Sequence, residues 1–248
     1  MEHSRKYRAA RAANQTLNTL VIILLLIILA VCAYALYDSY RVTNNVDRFN
    51  VPDEDIYSTF MQLRSENSDV VAWIRVDDTN ISYPVLQSTD NMSYLNLNAK
   101  KEYSAAGSIF MDCGNASDFS DSHTMIYGHN MSGERMFADV ASMSDESYFN
   151  SHSTGRIYLP DRTLEFEIVA LVRADSNDTA IYGIPHNTEE SMQKLIDEID
   201  RLAVCQRSSI STSDKLITLS TCTVTEETGR YLAVCRVTSE TPAGESNT

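Results

Sequence analysis

The pattern of hydrophobic and polar positions begins with a continuous apolar segment near the amino terminus. From Leu20 to Tyr37 every residue is apolar or tyrosine, in the run LVIILLLIILAVCAYALY. A helix rises about 1.5 Å per residue, so this run nearly covers a hydrocarbon core of roughly 30 Å. The pattern therefore predicts a membrane-spanning helix over residues 20–37.

The alternative for this apolar segment is cleavage. Signal peptides usually have an apolar region of about 7 to 15 residues, which is shorter than this one. Ala33-Tyr34-Ala35 has the form of a cleavage site, and Leu29-Ala30-Val31-Cys32 has the form of a lipoprotein box. Val31, however, is bulky where such boxes need a small residue. We expect an uncleaved anchor.

After the apolar segment, the chain changes to a helical and then to a strand period. Pro52 and acidic residues mark a helix start in VPDEDIYSTFMQLRSEN, where Ile56, Phe60 and Leu63 follow at helical spacing. Eight short runs then have strand-like patterns and are separated by loops rich in Gly, Asn, Asp and Ser. They are residues 70–76, 81–86, 107–112, 124–127, 155–159, 163–173, 216–221 and 231–238. Seven or eight short strands predict a barrel or a sandwich.

One further helix interrupts the strands. In NTEESMQKLIDEIDRL, Asn187 and Glu190 have the spacing of a cap pair, and an apolar stripe follows at helical spacing. This stripe is expected to pack on the sheet and consists of Met192, Leu195, Ile196, Ile199 and Leu202. The last residues, 239–248, are polar with Pro and Gly and predict a disordered tail.

Charge adds an orientation for the apolar segment. Residues 1–19 carry a net charge of +3, and because the whole chain has −14, the rest carries −17. The positive-inside rule then predicts a cytoplasmic basic segment over 1–19, a linker over 38–52, and an external domain beyond it. An acidic surface without a stripe of Lys and Arg repels phosphate, so nucleic acid is not an expected partner.

Candidate chemistry lies at the ends of three predicted strands. Cys222 ends one strand, His129 follows Gly128 after a second, and Arg230 opens a third. A thiol with a reference pKa of about 8.5 attacks a carbonyl efficiently at neutral pH only when a base or cation increases the thiolate share. A guanidinium stays charged and can donate a fork of hydrogen bonds to an oxyanion. These residues alone leave open a catalytic constellation or a packed cysteine beside a solvated arginine.

Other reactive side chains are not expected to bind a metal or take part in catalysis. Three histidines among polar residues are predicted to be solvated loop residues, namely His123, His152 and His186. Three further external cysteines, Cys113, Cys205 and Cys235, lack the paired spacing of a zinc site and do not form a disulfide framework. Glu226-Glu227 is simpler as solvated charge than as a calcium site. We therefore expect no metal.

Several motifs resemble those of the sortases. The sequence ITLSTC at 217–222, followed by RYLAVCRV at 230–237, resembles the TLxTC signature and distal arginine of that family. The sequence IYGHNM at 126–131 resembles its histidine motif. Residues 69–95 and 107–115 resemble the class B branch in particular, as does a long helix before the Cys222 strand. The resemblance covers the predicted catalytic domain, residues 53–238.

The resemblance implies a mainly β fold, an eight-stranded sortase-type β-barrel with an amino-terminal helix and a long helix before the catalytic strand. It also implies a transpeptidase of the Gram-positive cell membrane, with its catalytic domain outside. Cys222 would attack the threonine carbonyl of a carboxyl-terminal sorting signal in a secreted protein and form a thioester. His129 would protonate the departing amine and deprotonate the incoming one, and Arg230 would stabilise the oxyanion or position the peptide. The acceptor would be an amine of a peptidoglycan precursor or a pilin lysine, and no cofactor is implied.

The same resemblance implies a peptide groove. Its expected substrate-binding residues are Tyr127, Ser220, Asn91, Leu95 and Tyr182. Cys113 departs from the family pattern, because an aromatic or polar residue is expected there. Two other functions stay open: an anchored cysteine peptidase that hydrolyses its thioester, and a non-catalytic surface binding barrel.

Overall fold

The computed structural model describes residues 2–44, 51–131, 133, 135–222 and 228–243. The chain divides into two compact units, Met1–Asn45 and Val46–Thr248. In the first unit, helix α1 spans Glu2–Asn44, and its stretch Asn14–Tyr37 is long and apolar enough to cross a membrane. Because α1 continues past Tyr37, the predicted linker over 38–52 begins as helix.

The second unit is built on a β-sheet whose strands coincide closely with the predicted runs. Each of the eight predicted runs overlaps one strand of this sheet. The strands are β1 (Val70–Val76), β2 (Ser82–Leu86), β3 (Ile109–Met111), β4 (His123–Tyr127), β5 (Asn130–Met131), β6 (Arg135–Met136), β7 (Thr154–Tyr158), β8 (Arg162–Asp175), β9 (Ala203–Gln206), β10 (Leu216–Cys222) and β11 (Gly229–Pro242).

The sheet closes into a barrel of eight strands. Its order is β11-β10-β4-β3-β2-β1-β7-β8, and β8 pairs again with β11. The β2–β3 and β4–β10 pairs are parallel, and the other pairs in the barrel are antiparallel. Strand β9 pairs with residues 170–172 of β8, past the residues 163–167 that pair with β7. Strands β5 and β6 form a separate hairpin. The predicted eight-stranded barrel is therefore confirmed.

Strand β11 extends beyond its predicted end at residue 238. It pairs with β8 from Gly229 opposite Asp175 to Pro242 opposite Arg162. Residues 239–242, predicted as the start of a disordered tail, are therefore paired strand. Their polar composition is compatible with this pairing because a ladder is held by backbone hydrogen bonds. Residues 244–248 of the predicted tail lie outside the described residues.

Helix α2 (Asp53–Glu66) begins after Pro52, as its sequence predicts. Its buried residues Ile56 and Phe60 pack in a cluster with Trp73 of β1 and Phe110 of β3. Three short helices and one 3₁₀ turn were not predicted. They are α3 (Ala138–Ser142), α4 (Glu146–Ser151), α5 (Thr179–Tyr182) and a 3₁₀ helix at Ser93–Leu95.

Helix α6 (Glu189–Leu202) is the predicted long helix, but its cap is one residue later than expected. The Thr188 hydroxyl accepts from the backbone of Ser191, whose side chain accepts in return from the Thr188 N–H. Asn187 instead donates to Asp121 and accepts from the backbone of Ser122. Four residues of the apolar stripe are buried and Leu202 is partly buried, and the stripe packs on barrel residues, as expected.

Candidate active site

A cleft of about 460 Å³ collects most of the residues singled out from the sequence. It contains His129 and Arg230 together with all five expected substrate-binding residues. Its lining comes from the β2–β3 connection, from β3 and β4 and the segments that follow them, from the α5 segment, and from β10 and β11. The lining residues are Asn91, Met92, Leu95, Phe110, Asp112, Tyr127, Gly128, His129, Ser176, Tyr182, Ser220, Thr221 and Arg230.

The strand register brings the three candidate catalytic positions to one end of the barrel. Strands β4 and β10 are parallel neighbours, with Ser220 opposite Tyr127, so their carboxyl ends meet. Strand β11 runs antiparallel to β10 and places the backbone of Arg230 opposite Cys222. The side chain of Cys222 and residues 223–227, including Glu226-Glu227, lie outside the described part of the chain. The ladder itself sets Cys222 and Arg230 as cross-strand neighbours.

Arg230 donates a hydrogen bond to the backbone and acts electrostatically on an acidic residue of β8. Its Nη1 donates to the Gly229 carbonyl at 2.9 Å. The positive charge of Arg230 contributes, after three hydrogen bonds from Thr228 and Asn177, to holding the pKa of Asp175 below its ordinary value. The charge of the guanidinium in the cleft therefore lowers the pKa of a neighbouring carboxylate, Asp175.

The imidazole of His129 is held by a carbonyl from the β2–β3 connection. Its Nε2 lies 3.1 Å from the carbonyl oxygen of Leu95. A carbonyl only accepts, so Nε2 carries the proton, and in the neutral ring Nδ1 carries the lone pair. The His129 carbonyl accepts from the Phe137 N–H at 2.9 Å, which fixes the backbone.

Gly128 precedes His129 for a steric reason and not for a left-handed turn. Among the described glycines only Gly107 and Gly133 have positive φ. A Cβ on Gly128 would lie 2.7 Å from Cδ2 of the buried Phe137, closer than real Cβ atoms approach. Close packing, and not a left-handed backbone conformation, therefore explains the glycine at this position.

Tyr127 and Asn91 share one carboxylate in the wall of the cleft. Asp112 Oδ2 accepts from Tyr127 Oη at 2.7 Å and from Asn91 Nδ2 at 2.8 Å. Burial and the neighbouring charge of Asp112 raise the pKa of Tyr127 well above its ordinary value. The phenol therefore stays protonated at neutral pH and donates to Asp112.

Another part of the cleft lining connects α5 to β10. Tyr182 Oη lies 3.1 Å from Ser220 Oγ, so these two expected substrate-binding residues hydrogen bond to each other. The Tyr182 ring also stacks on Tyr127, with 6.4 Å between centroids. The two tyrosines form a continuous aromatic surface along the cleft.

Two histidines predicted to be solvated are buried, and that prediction was wrong. His123 has 0% exposure and His186 has 4%, and their Nδ1 atoms lie 3.2 Å apart. Burial, with a smaller contribution from His186, lowers the pKa of His123 to about 3. Burial likewise lowers the pKa of His186. His152 is half-buried and stacks on Tyr148.

The remaining thiols are far from uniform. Cys113 is exposed, Cys205 is partly buried and Cys235 is buried, and all three are free. Burial raises the pKa of the thiols of Cys205 and Cys235. Within the described ranges, no group of three or more His, Cys, Asp or Glu is arranged to hold a metal ion.

Sequence reasoning missed several residues of the cleft. Asp112 is the most important, because it binds two residues that the sequence did identify. Its only local signal is its place at the end of the apolar run IFM in GSIFMDCGN. Met92, Phe110 and Ser176 also line the cleft and were not singled out, and neither was Thr221, although it lies within the motif ITLSTC.

Comparison with known proteins gives consistent similarities. The family model described as the Sortase domain matches residues 74–238, a range that includes every lining residue of the cleft. Sortase B of Listeria monocytogenes is 37% identical over 195 residues, which are 76% of this chain and 74% of that protein. A mutant form of Clostridium perfringens sortase B has a TM-score of 0.68 at 30% identity, covering 73% of this chain and 87% of that one. The Staphylococcus aureus sortase B–substrate complex has a TM-score of 0.66 at 27% identity, covering 74% and 86%.

Proposed function

This chain belongs to the sortase family as a class B sortase, a cysteine transpeptidase, and we propose that Cys222, His129 and Arg230 carry out its chemistry. The observation that carries the proposal is that the three residues lie at the same end of the barrel. His129 and Arg230 line one cleft, and the β10–β11 register sets Cys222 opposite Arg230.

The reaction proceeds in two acyl transfers. The Cys222 sulfur passes its proton to His129 and attacks the carbonyl carbon of a threonine, and the negative charge on the oxygen is stabilised by the Arg230 guanidinium. The C–N bond breaks as His129 gives a proton to the departing amine, which leaves a thioester on Cys222. An incoming amine attacks the thioester, His129 takes its proton, and the Cys222 sulfur leaves.

The cleft lining supports binding of an extended peptide. Tyr127 and Tyr182 offer an aromatic surface, Leu95 an apolar one, and Asn91 and Ser220 offer hydrogen-bonding groups. We assign these five residues to contact with the sorting signal of a secreted protein. The acceptor is an amine of a peptidoglycan precursor or a pilin lysine.

The amino-terminal helix supports a location at the cell membrane. The stretch Asn14–Tyr37 is long and apolar enough to span a bilayer, and the flank over residues 1–19 has a net charge of +3. A basic flank favours the cytoplasmic side. We assign α1 as an uncleaved anchor, with the unit of residues 46–248 outside the cell.

The test is product analysis with the full-length chain in detergent micelles. The probe is a library of peptides with a fixed threonine at the cleaved position and random preceding residues, incubated with and without glycine or lysine amines. Mass spectrometry should show cleavage after threonine and a ligated product when an amine is present. Products that are only hydrolysed in the presence of amine would instead favour an anchored cysteine peptidase.

Two variants test the assigned roles. Cys222→Ala should abolish the thioester and turnover, because no nucleophile remains. Arg230→Lys should lose most turnover, because lysine keeps the charge but not the fork of donors. Near-normal cleavage by Cys222→Ala would reject the mechanism. An active Cys222 thiol should react with a methanethiosulfonate reagent and be protected from it by a substrate peptide, whereas a packed thiol should resist the reagent.

A further inference from the structure

Asp112 is a nearly buried carboxylate that borders the cleft. Its exposure is 6%, and three hydrogen-bond donors surround its side chain. Oδ1 accepts from the Gly114 N–H at 2.8 Å, and Oδ2 accepts from Tyr127 Oη and Asn91 Nδ2. Every one of these bonds requires an acceptor at position 112.

This arrangement fixes the polarity of two substrate-facing side chains. Asn91 Oδ1 accepts from the Cys113 N–H at 2.8 Å, so its amide cannot flip without placing donors against donors. Asn91 Nδ2 uses one N–H on Asp112, and Tyr127 uses its only proton there. What these side chains can then offer a bound peptide is the second N–H of Asn91 and the lone pairs of Tyr127 Oη.

A donor and an acceptor side by side suit a peptide group. A carbonyl of an extended peptide accepts from an amide N–H, and a backbone N–H donates to a phenol oxygen. If the carboxylate did not take the phenol proton, Tyr127 could present a donor instead, and the pairing with the peptide would be lost.

We propose that Asp112 is a positioning residue that sets the hydrogen-bonding direction of Tyr127 and Asn91 toward a peptide group of the sorting signal. This inference rests on the proposed function, since it assigns a role in binding the same substrate. Asp112 acts through its two neighbours and takes no part in the acyl transfers.

The test compares Asp112→Asn with a matched control, Asp121→Asn, in the full-length chain in detergent. Asp121 also accepts three hydrogen bonds, from Asn115, the Ala116 backbone and Asn187, but it does not line the cleft. With the peptide best cleaved by the unmodified protein, Asp112→Asn should raise KM by about tenfold or more and change kcat less than about threefold. Asp121→Asn should change KM by less than about twofold.

A second variant separates positioning from stability. In the exchange Asn91→Asp with Asp112→Asn, the new carboxylate accepts from the Cys113 N–H and from the new amide. The amide oxygen accepts from the Gly114 N–H, and its two N–H groups donate to position 91 and to Tyr127 Oη. All four bonds are restored, and only the two that position 112 makes to position 91 and to Tyr127 are reversed, so the unfolding midpoint should recover toward that of the unmodified protein while KM stays high.

The outcomes are distinguishable from failure of the proposed function. If the unmodified protein cleaves no peptide of the library, the proposed function fails. If it cleaves and Asp112→Asn has the same KM as Asp121→Asn, the positioning role is wrong while the function stands. Recovery of both midpoint and KM in the exchange variant would also overturn the inference, because it would make the role of Asp112 structural only.

Discussion

The two ends of strand β4 carry histidines in opposite settings. His123 begins the strand and is completely buried, whereas His129 follows its carboxyl end and lines the cleft. At the buried end, three hydrogen bonds fix the tautomers. His186 Nε2 donates to the Ala180 carbonyl at 2.9 Å, so its Nδ1 accepts from His123 Nδ1, and His123 Nε2 accepts from the Thr218 hydroxyl at 2.9 Å.

The difference teaches what makes a histidine available for chemistry. Both ring nitrogens of His123 are taken by protein groups, and burial suppresses its charged form. The Nε2 atom of His129 lies on the Leu95 carbonyl, and the residue borders the cleft. One imidazole is therefore fixed inside the barrel by its partners, and the other borders the cleft, where we propose that it exchanges protons with a substrate.

Among the changes that test this comparison, the largest effect is expected from removing the imidazole at the cleft end. His129→Gln should reduce turnover of the peptide by about 10² to 10⁴-fold, the usual contribution of a general acid–base residue. Its denaturation midpoint should change little, because His129 is only partly buried and its hydrogen bond to Leu95 borders the cleft. Turnover is measured by peptide cleavage, and unfolding by fluorescence of Trp73, the only tryptophan of the chain, which is buried in the second unit.

The matched control for this loss is His152→Gln, which removes a histidine outside the cleft. It should keep peptide turnover within about twofold. Equal losses of turnover in the two variants would mean that His129 has no special role and would break the comparison.

A smaller effect is expected at the buried end. Thr218→Val keeps the shape of the side chain but removes the hydroxyl that donates to His123, which leaves a buried nitrogen without its donor. The free energy of unfolding should fall by about 1 to 3 kcal/mol, with turnover per folded molecule unchanged. Denaturant titration with Trp73 fluorescence measures it.

The neighbouring strand offers a control with the same substitution. Thr124 is 1% exposed, and its hydroxyl has no hydrogen-bond partner among the described residues. Thr124→Val should therefore be neutral or stabilising. A destabilisation equal to that of Thr218→Val would show that the bond to His123 contributes nothing of its own.

The sequence predicted the barrel well because its strands are long enough to show a period. β1 matches its predicted run of 70–76 residue for residue, and α6 lies within its predicted segment of 187–202. The hairpin of β5 and β6, two residues each, and the four-residue α5 are too short for any periodicity. They form because the barrel around them supplies their partners.

The candidate site divides along the same line. His129 and Arg230 were predicted because strand ends and motifs are local features, and the cleft contains both. The burial of His123 was missed because its partners, His186 and Thr218, are 63 and 95 residues away. Asp112 was missed for the same reason, since its role comes from Asn91 and Tyr127 and not from its neighbours in the chain.

The smallest expected effect is a change in acid sensitivity at the buried end. The folded pKa of His123 is lowered from 6.5 to about 3, mainly by burial, with His186 adding to the shift and Asp121 opposing it. Below pH 6.5 the unfolded chain therefore binds a proton at this position that the folded chain does not. Stability from this group is fully present above about pH 6.5 and is lost as the pH falls toward 3. Between pH 6.5 and 5.5 this single group should lower the free energy of unfolding by about 1 kcal/mol.

His123→Gln removes that titration while leaving the carboxylates in place, so its unfolding free energy should fall less over this interval than that of the unmodified protein. Parallel declines for the two proteins would mean that His123 is not held neutral, and the contrast between the two ends of β4 would then lie in position alone.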